Sequence, residues 1–166
     1  MAAYPSDKTT GSGDHALLVG ASCVALATLV PVALYQLGAV SRLPDPPFSV
    51  FDSERITTSK AAHPFGIPDG LLGLASFGTT LVLALLSKRS RVASHLLGAK
   101  LVLDASVAAF NASRQIVSFG KLCSWCTGTT VSAGVMAYAG RASIRSSLHE
   151  AAGVAEAVGS SFERII

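Results

Sequence analysis

The segment Leu122-Cys123-Ser124-Trp125-Cys126-Thr127-Gly128 opens an apolar run that continues through Val131, Val135, Met136 and Tyr138. Two cysteines with two residues between them, at the mouth of a helix, meet when its first turn forms. They can close a disulfide or share one thiolate. A helix N-terminus carries about half a unit of positive charge. That field lowers a thiol pKa, and the thiolate is the reactive form. The run that follows reads as transmembrane, which sets the dithiol at a membrane surface facing lipid-soluble electron carriers. Two blander readings compete. A structural zinc site needs four Cys or His ligands, but the only other cysteine is Cys23, in a distant apolar run, and no His lies near the pair. A structural disulfide across so short a loop gains little entropy. Redox chemistry is therefore favoured, with no metal.

Working outward, the composition fits a membrane. Half of the 166 residues are hydrophobic and 14% are charged, with a mean hydropathy of +0.51. That is too apolar for a soluble domain of this length, and the apolar residues fall in runs of about 20, the length that crosses a bilayer. The net charge of +3 is small, is read by position, and gives no nucleic-acid signal. The fold expected is all-α: an integral membrane four-helix bundle over residues 15–140. A flexible polar tail (1–14) precedes it, and a polar tail (141–166) follows. In that second tail Ile144, Leu148, Val154, Val158 and Phe162 form a weakly amphipathic stripe.

The spans are read as Ala16 to Val40, Gly70 to Leu86, Val92 to about Ala112, and Leu122 to about Gly140. Cys23, near the middle of the first, reads as a small packing residue. In the first loop, Pro44-Asp45-Pro46-Pro47 is extended. A short helix then starts with Asp52 or Ser53 as its cap and runs to about Ala62. Phe65-Gly66-Ile67-Pro68 turns into the second span. Lys100 and Asp104, one turn apart in the third span, pair or face the bundle interior because charge in a membrane is costly; a proton route is the sharper alternative. The short basic turn Lys88, Arg89, Arg91 indicates the cytoplasmic side. Both termini then lie in the cytoplasm, and the first loop and the cysteine pair lie opposite, where disulfides persist.

With these features in hand, the chain resembles the vitamin K epoxide reductase family. The likeness rests on four spans, Phe65-Gly66-Ile67-Pro68-Asp69 entering the second, the Leu71-Leu72-Gly73-Leu74 step, and Cys123-Ser124-Trp125-Cys126 opening the fourth. It covers roughly Ala16 to Gly140. It implies helices surrounding a quinone of ubiquinone or menaquinone type, with Cys123 and Cys126 catalytic. Cys126 would react with the quinone and Cys123 would exchange with an incoming thiol. Asp69, Phe65 and Thr130 would surround the cofactor. Bacterial relatives run toward disulfide formation, with a secreted thioredoxin-like protein as partner, which implies a bacterial inner membrane. The family usually carries two more cysteines in the first loop, near Asp45 and at Ser53, and this chain has none there. Shuttling within the chain is thereby excluded. Two expectations follow: a membrane thiol oxidoreductase whose donor reaches Cys123 directly, or a catalytically silent subunit of a larger membrane complex. Cys123 is expected nearer the water and Cys126 about 4.5 Å deeper along the axis.

Overall fold

The computed structural model describes residues 11–163, with side chains through residue 155; the first ten residues of the expected N-terminal tail lie outside the described residues. Its helices are α1 (Ser12–Gln36), α2 (Ser53–Thr57), α3 (Asp69–Ser87), α4 (Arg91–Phe119), α5 (Ser124–Ala139) and α6 (Arg141–Glu163). The protein is all-α, and no strand forms among the described residues. Three helices, α1, α3 and α4, are long and apolar enough to cross a membrane. α5 has 16 residues and is the fourth member of the bundle.

Helical periodicity sets the core. On α1, Leu18, Ala21, Ser22, Ala25, Leu29, Val32 and Ala33 are buried, a stripe at three- and four-residue spacing. On α5 the matching stripe is Thr129, Ser132, Ala133, Met136 and Ala139. Small residues let these two backbones approach closely, the usual basis of helix association in lipid, where the hydrophobic effect gives no drive. Hydroxyls join them: Ser22 Oγ donates to Met136 Sδ at 3.0 Å, and Thr28 and Thr129 share a bond of 2.9 Å. Cys23 is exposed. It follows Ser22 by one position, which turns it off the buried stripe, so it is not the packing residue expected.

α4 runs seven residues beyond the expected end at Ala112. Ser113, Arg114 and Gln115 are polar, but polarity alone does not stop a helix. The stop is Gly120, which adopts φ 61° and donates its N–H to Ile116 O at 3.0 Å, a glycine-terminated helix end. At its other end Ser90 caps α4, accepting from Ala93 N–H at 3.3 Å.

The short loop helix is capped by Asp52, as read, with Arg55 N–H donating to its Oδ1 at 3.2 Å. It ends at Thr57 instead of Ala62. The hydroxyls of Thr57, Thr58 and Ser59 turn back onto carbonyls of Ser53, Glu54 and Ile56 at 2.7, 2.8 and 2.7 Å, which competes with continuing the helix. Single 3₁₀ turns at Lys60–Ala62 and Pro64–Gly66 carry the chain on.

α6 packs beside the first part of α4. A side chain at Gly98 would collide with Ser143 and Ser147. Ser147 Oγ donates to His95 O at 2.7 Å. Of the stripe expected on this tail, Ile144 packs against the core, whereas Leu148 and Val154 are exposed. The side chains of Val158 and Phe162 lie outside the described residues.

Candidate redox site

Cys123 is the residue just before α5, with extended backbone (φ −88°, ψ 120°), and it caps the helix through sulfur: Cys126 N–H donates to Cys123 Sγ at 3.1 Å. The helix N-terminus therefore acts first on Cys123. The Cys126 thiol also donates to it, which outweighs burial and the nearby Asp45 charge and holds the Cys123 pKa below the usual thiol value. Its own N–H donates to Gln115 Oε1 at 2.9 Å. Both cysteines are free thiols.

Cys123 is 0% exposed, against the expectation that it lies nearer the water. The first loop covers it. Leu122 N–H donates to Val50 O at 2.8 Å and Asp52 N–H to Leu122 O at 2.9 Å. Trp125 Nε1 donates to Pro44 O at 3.0 Å, and Lys121 Nζ to Ser49 O. At the centre sits Asp45. Its carboxylate accepts from Ser53 N–H at 2.7 Å, Ser53 Oγ at 2.5 Å and Ser124 Oγ at 2.6 Å. Burial pushes its pKa up, but the bonds from Ser124 and Ser53 prevail and hold it below the usual carboxyl value. The resemblance places the family's loop cysteines near Asp45 and at Ser53, and here Asp45 and Ser53 bond to each other.

Cys126, beside Cys123, borders the bundle interior. It lines a cavity of about 450 Å³ enclosed by α1, α3, α4, α5 and the 3₁₀ turns. Leu29, Val32, Leu72, Phe77, Leu103 and Val107 supply apolar wall; Asp69, Ser76, Asp104, Arg114, Gln115 and Thr130 supply polar groups. An apolar chamber with a few convergent polar groups is what a lipid-soluble ring requires, so the residues present fit a quinone.

The structure brings Cys126, Asp69 and Thr130 to one chamber. Asp69 begins α3 and is held by Gln36, whose Nε2 donates to Asp69 Oδ1 at 2.7 Å while its Oε1 accepts from Gly70 N–H at 3.0 Å. Thr130 Oγ1 donates to Cys126 O at 2.9 Å, so its hydroxyl is engaged within α5. Phe65 is not brought in. It is fully exposed at φ 58°, the left-handed region that a non-glycine residue rarely adopts, and its neighbour Pro64 lines the chamber instead. His63 Nδ1 meets Ser59 O at 3.2 Å, a loop contact.

Gln36, Arg114 and Gln115 were not singled out in the sequence as site residues, and Asp45 and Ser53 were noted as places of absent cysteines and Ser53 as a possible cap, not as a hydrogen-bonded group with Ser124. Polar residues at the ends of long apolar helices, Gln36 closing α1 and Gln115 near the end of α4, were the available signal. Arg114 Nη2 donates to Ala61 O at 2.9 Å, and its guanidinium stands 5.8 Å from the Phe110 ring centre.

A family model described as the vitamin K epoxide reductase family matches residues 16–139. The chain belongs to that family. No curated protein and no solved structure matches it. Vitamin K epoxide reductase membership implies a membrane oxidoreductase of the thiol and quinone kind, and the apolar helices agree with an integral membrane protein.

Proposed function

We propose that this protein is a quinone-linked thiol oxidoreductase in which Cys123 and Cys126 pass electrons between an external thiol partner and a quinone. The observation that carries the reading is the division of the pair: Cys126 lines the chamber, while Cys123 lies under the first loop on the partner's side. A bound quinone supplies an acceptor for two electrons and two protons. In the balanced reaction, two thiols and a quinone give one disulfide and one quinol. Cys123, its pKa lowered, exchanges with the partner through a mixed disulfide. The partner's thiol attacks the Cys123–Cys126 disulfide at Cys123 and releases Cys126 as the thiolate; the partner's second thiol then frees Cys123, and the reduced pair, with Cys126 facing the acceptor, is reoxidised by the quinone. Asp69, held by Gln36, is the group placed to hydrogen-bond a ring oxygen and hold a proton.

The partner proposed is a thioredoxin-like thiol protein on the extracytoplasmic side of a bacterial inner membrane, with both termini cytoplasmic. The quinone is of ubiquinone or menaquinone type. The test uses purified protein reduced to the dithiol, titrated with a short-chain quinone while free thiols and quinol are counted. Two thiols lost per quinol formed, abolished in Cys126→Ala, supports the reading. Thiols that persist in excess quinone overturn it. One observation favours a second reading, a catalytically silent subunit: without loop cysteines, the bonded loop leaves Cys123 no exposed surface. A thiolate–quinone charge-transfer band in the purified protein would exclude that alternative.

A further inference from the structure

The chamber has a second polar pole that the thiol chemistry does not use. Asp104 is buried in α4 and lines the chamber together with Ser76 of α3. It pairs with Lys100 one turn away. Thr80 Oγ1 donates to Asp104 Oδ2 at 2.5 Å, Ser76 Oγ to Asp104 Oδ1 at 2.9 Å, and Lys100 Nζ to Ser76 Oγ at 2.8 Å. Ionised side chains inside a bundle are costly and mark sites on substrate or proton pathways.

Their position is informative. Asp69 and Ser76 lie on one face of α3, two turns apart, which is roughly 10 Å at 1.5 Å per residue. Leu72 and Gly73 lie between them and also line the chamber. A six-membered ring with oxygens at opposite corners, hydrogen-bonded at both ends at about 2.8 Å, spans on the order of 10 Å. Thr130 does not offer its proton, because its hydroxyl is spent on Cys126 O. The Ser76 hydroxyl is bonded to Asp104, a carboxylate that has two other donors in Lys100 and Thr80. If that hydroxyl turns from Asp104 into the chamber, Asp104 keeps Lys100 and Thr80, and Lys100 still donates to the Ser76 oxygen.

We propose that Ser76, backed by Lys100 and Asp104, forms a second oxygen-binding subsite, so that the chamber selects para-diones held at both ends over rings with one oxygen. This rests on the quinone reading above. Ser76 is then a binding residue, and Lys100 and Asp104 position it.

The test compares binding of 1,4-naphthoquinone and 1-tetralone, which has one ring oxygen, by quenching of Trp125, the only tryptophan. The wild type should prefer the dione by about tenfold, the value of one neutral hydrogen bond. Ser76→Ala should lose that preference by weakening the dione alone, and Ser76→Thr, which keeps the hydroxyl, should restore it. Equal weakening of both ligands in Ser76→Ala, or no change in either, overturns the subsite while leaving the quinone reading intact. A wild type that binds neither ligand overturns both. If Ser76→Ala does not fold, Lys100→Met takes its place, with the same loss of preference expected and an unchanged preference counting against the proposal.

Discussion

Asp45 and Ser124, 79 residues apart, are joined by a hydrogen bond of 2.6 Å from the serine hydroxyl to the carboxylate. Ser53 donates twice to the same carboxylate, and Ser124 N–H donates to Ser53 Oγ at 3.0 Å. One side chain thus fastens the first loop to the mouth of α5, directly over a thiol with no exposed surface. The loop bonds hold wherever Asp45 is ionised.

That clasp makes Cys123 accessibility pH-dependent in a stated direction. A carboxyl whose folded pKa is depressed stabilises the closed loop above its unfolded pKa and loses that contribution as pH falls through the folded value. The usual value is 3.8 and Asp45 lies below it. Closure should hold at neutral pH and weaken only below about pH 4. Asp45→Ala should open the loop at all pH values. Hydrogen exchange of the Leu122 and Asp52 amides reports this, and equal protection of both amides in wild type and Asp45→Ala at neutral pH would remove the clasp from the account.

The Cys126 thiol is the largest influence lowering the Cys123 pKa. Cys126→Ala should therefore return Cys123 toward the usual value of 9.0, whereas Cys126→Ser, which keeps a donor, should hold it lower. Titrating the thiolate absorbance in a background where Cys23 is Ala measures both. Midpoints in both variants that stay as low as with Cys126 present would assign the shift to the helix N-terminus alone.

Much of this site was legible because it lies on regular elements. Cys123 and Cys126 announce a helix mouth, and the i,i+4 spacing of Lys100 and Asp104 announces their pairing. Asp69 was reached only through the family resemblance; as a residue it reads equally as a charge at a helix start. The end of α4 was not legible, because Arg114 and Gln115 look like a polar link, while burial among other helices is a tertiary fact. Cys123 was expected at the water because axial depth follows from helical rise. The cover over it comes from loop residues, Pro44 to Asp52, whose pairing with Leu122 has no periodic signature. Phe65 shows the converse: its segment carries the family likeness, yet a left-handed turn points the ring outside.

Asp69 depends on Gln36. Asp69→Ala should weaken quinone binding by about 1–3 kcal/mol, the usual cost of a lost buried polar partner. Asp69→Asn should retain most of the affinity and change its pH dependence. Gln36→Leu removes the amide that holds the carboxylate and should reproduce part of the Asp69→Ala loss. Direct titration with a short-chain quinone measures all three. Unchanged affinity in Asp69→Ala would return that residue to a helix-start role.

Topology is open to a direct check. The turn after α3 carries Lys88, Arg89 and Arg91, and dense basic turns stay in the cytoplasm. In a cysteine-free background, single cysteines at Ser12, Ser59 and Ser90 should react with an impermeant thiol reagent in intact cells only at position 59. Labelling at 90 but not at 59 would invert the orientation and with it the compartment of the thiols.

The entry point of electrons joins the clasp to the chemistry. No cysteine lies in the first loop, so the thiol donor proposed above is a separate molecule. Cys123 is its proposed target, because Cys126 lines the chamber. Exchange passes through a mixed disulfide between Cys123 and the partner, which Cys126 can cleave again by attacking at Cys123. Supplied with the partner in its disulfide form, which provides the oxidising equivalent, Cys126→Ala should accumulate the adduct between Cys123 and the partner, visible on a non-reducing gel and identifiable by mass spectrometry, whereas Cys123→Ala should trap much less. The loop must first leave the thiol, so adding Asp45→Ala to Cys126→Ala should make the adduct form faster without changing its identity. If Cys126→Ala traps nothing while the wild-type pair still cycles between dithiol and disulfide, electrons do not enter from an external thiol at Cys123. If the double variant traps at the same rate as Cys126→Ala alone, loop opening does not limit access, and the Asp45 bonds serve only to hold the loop in place.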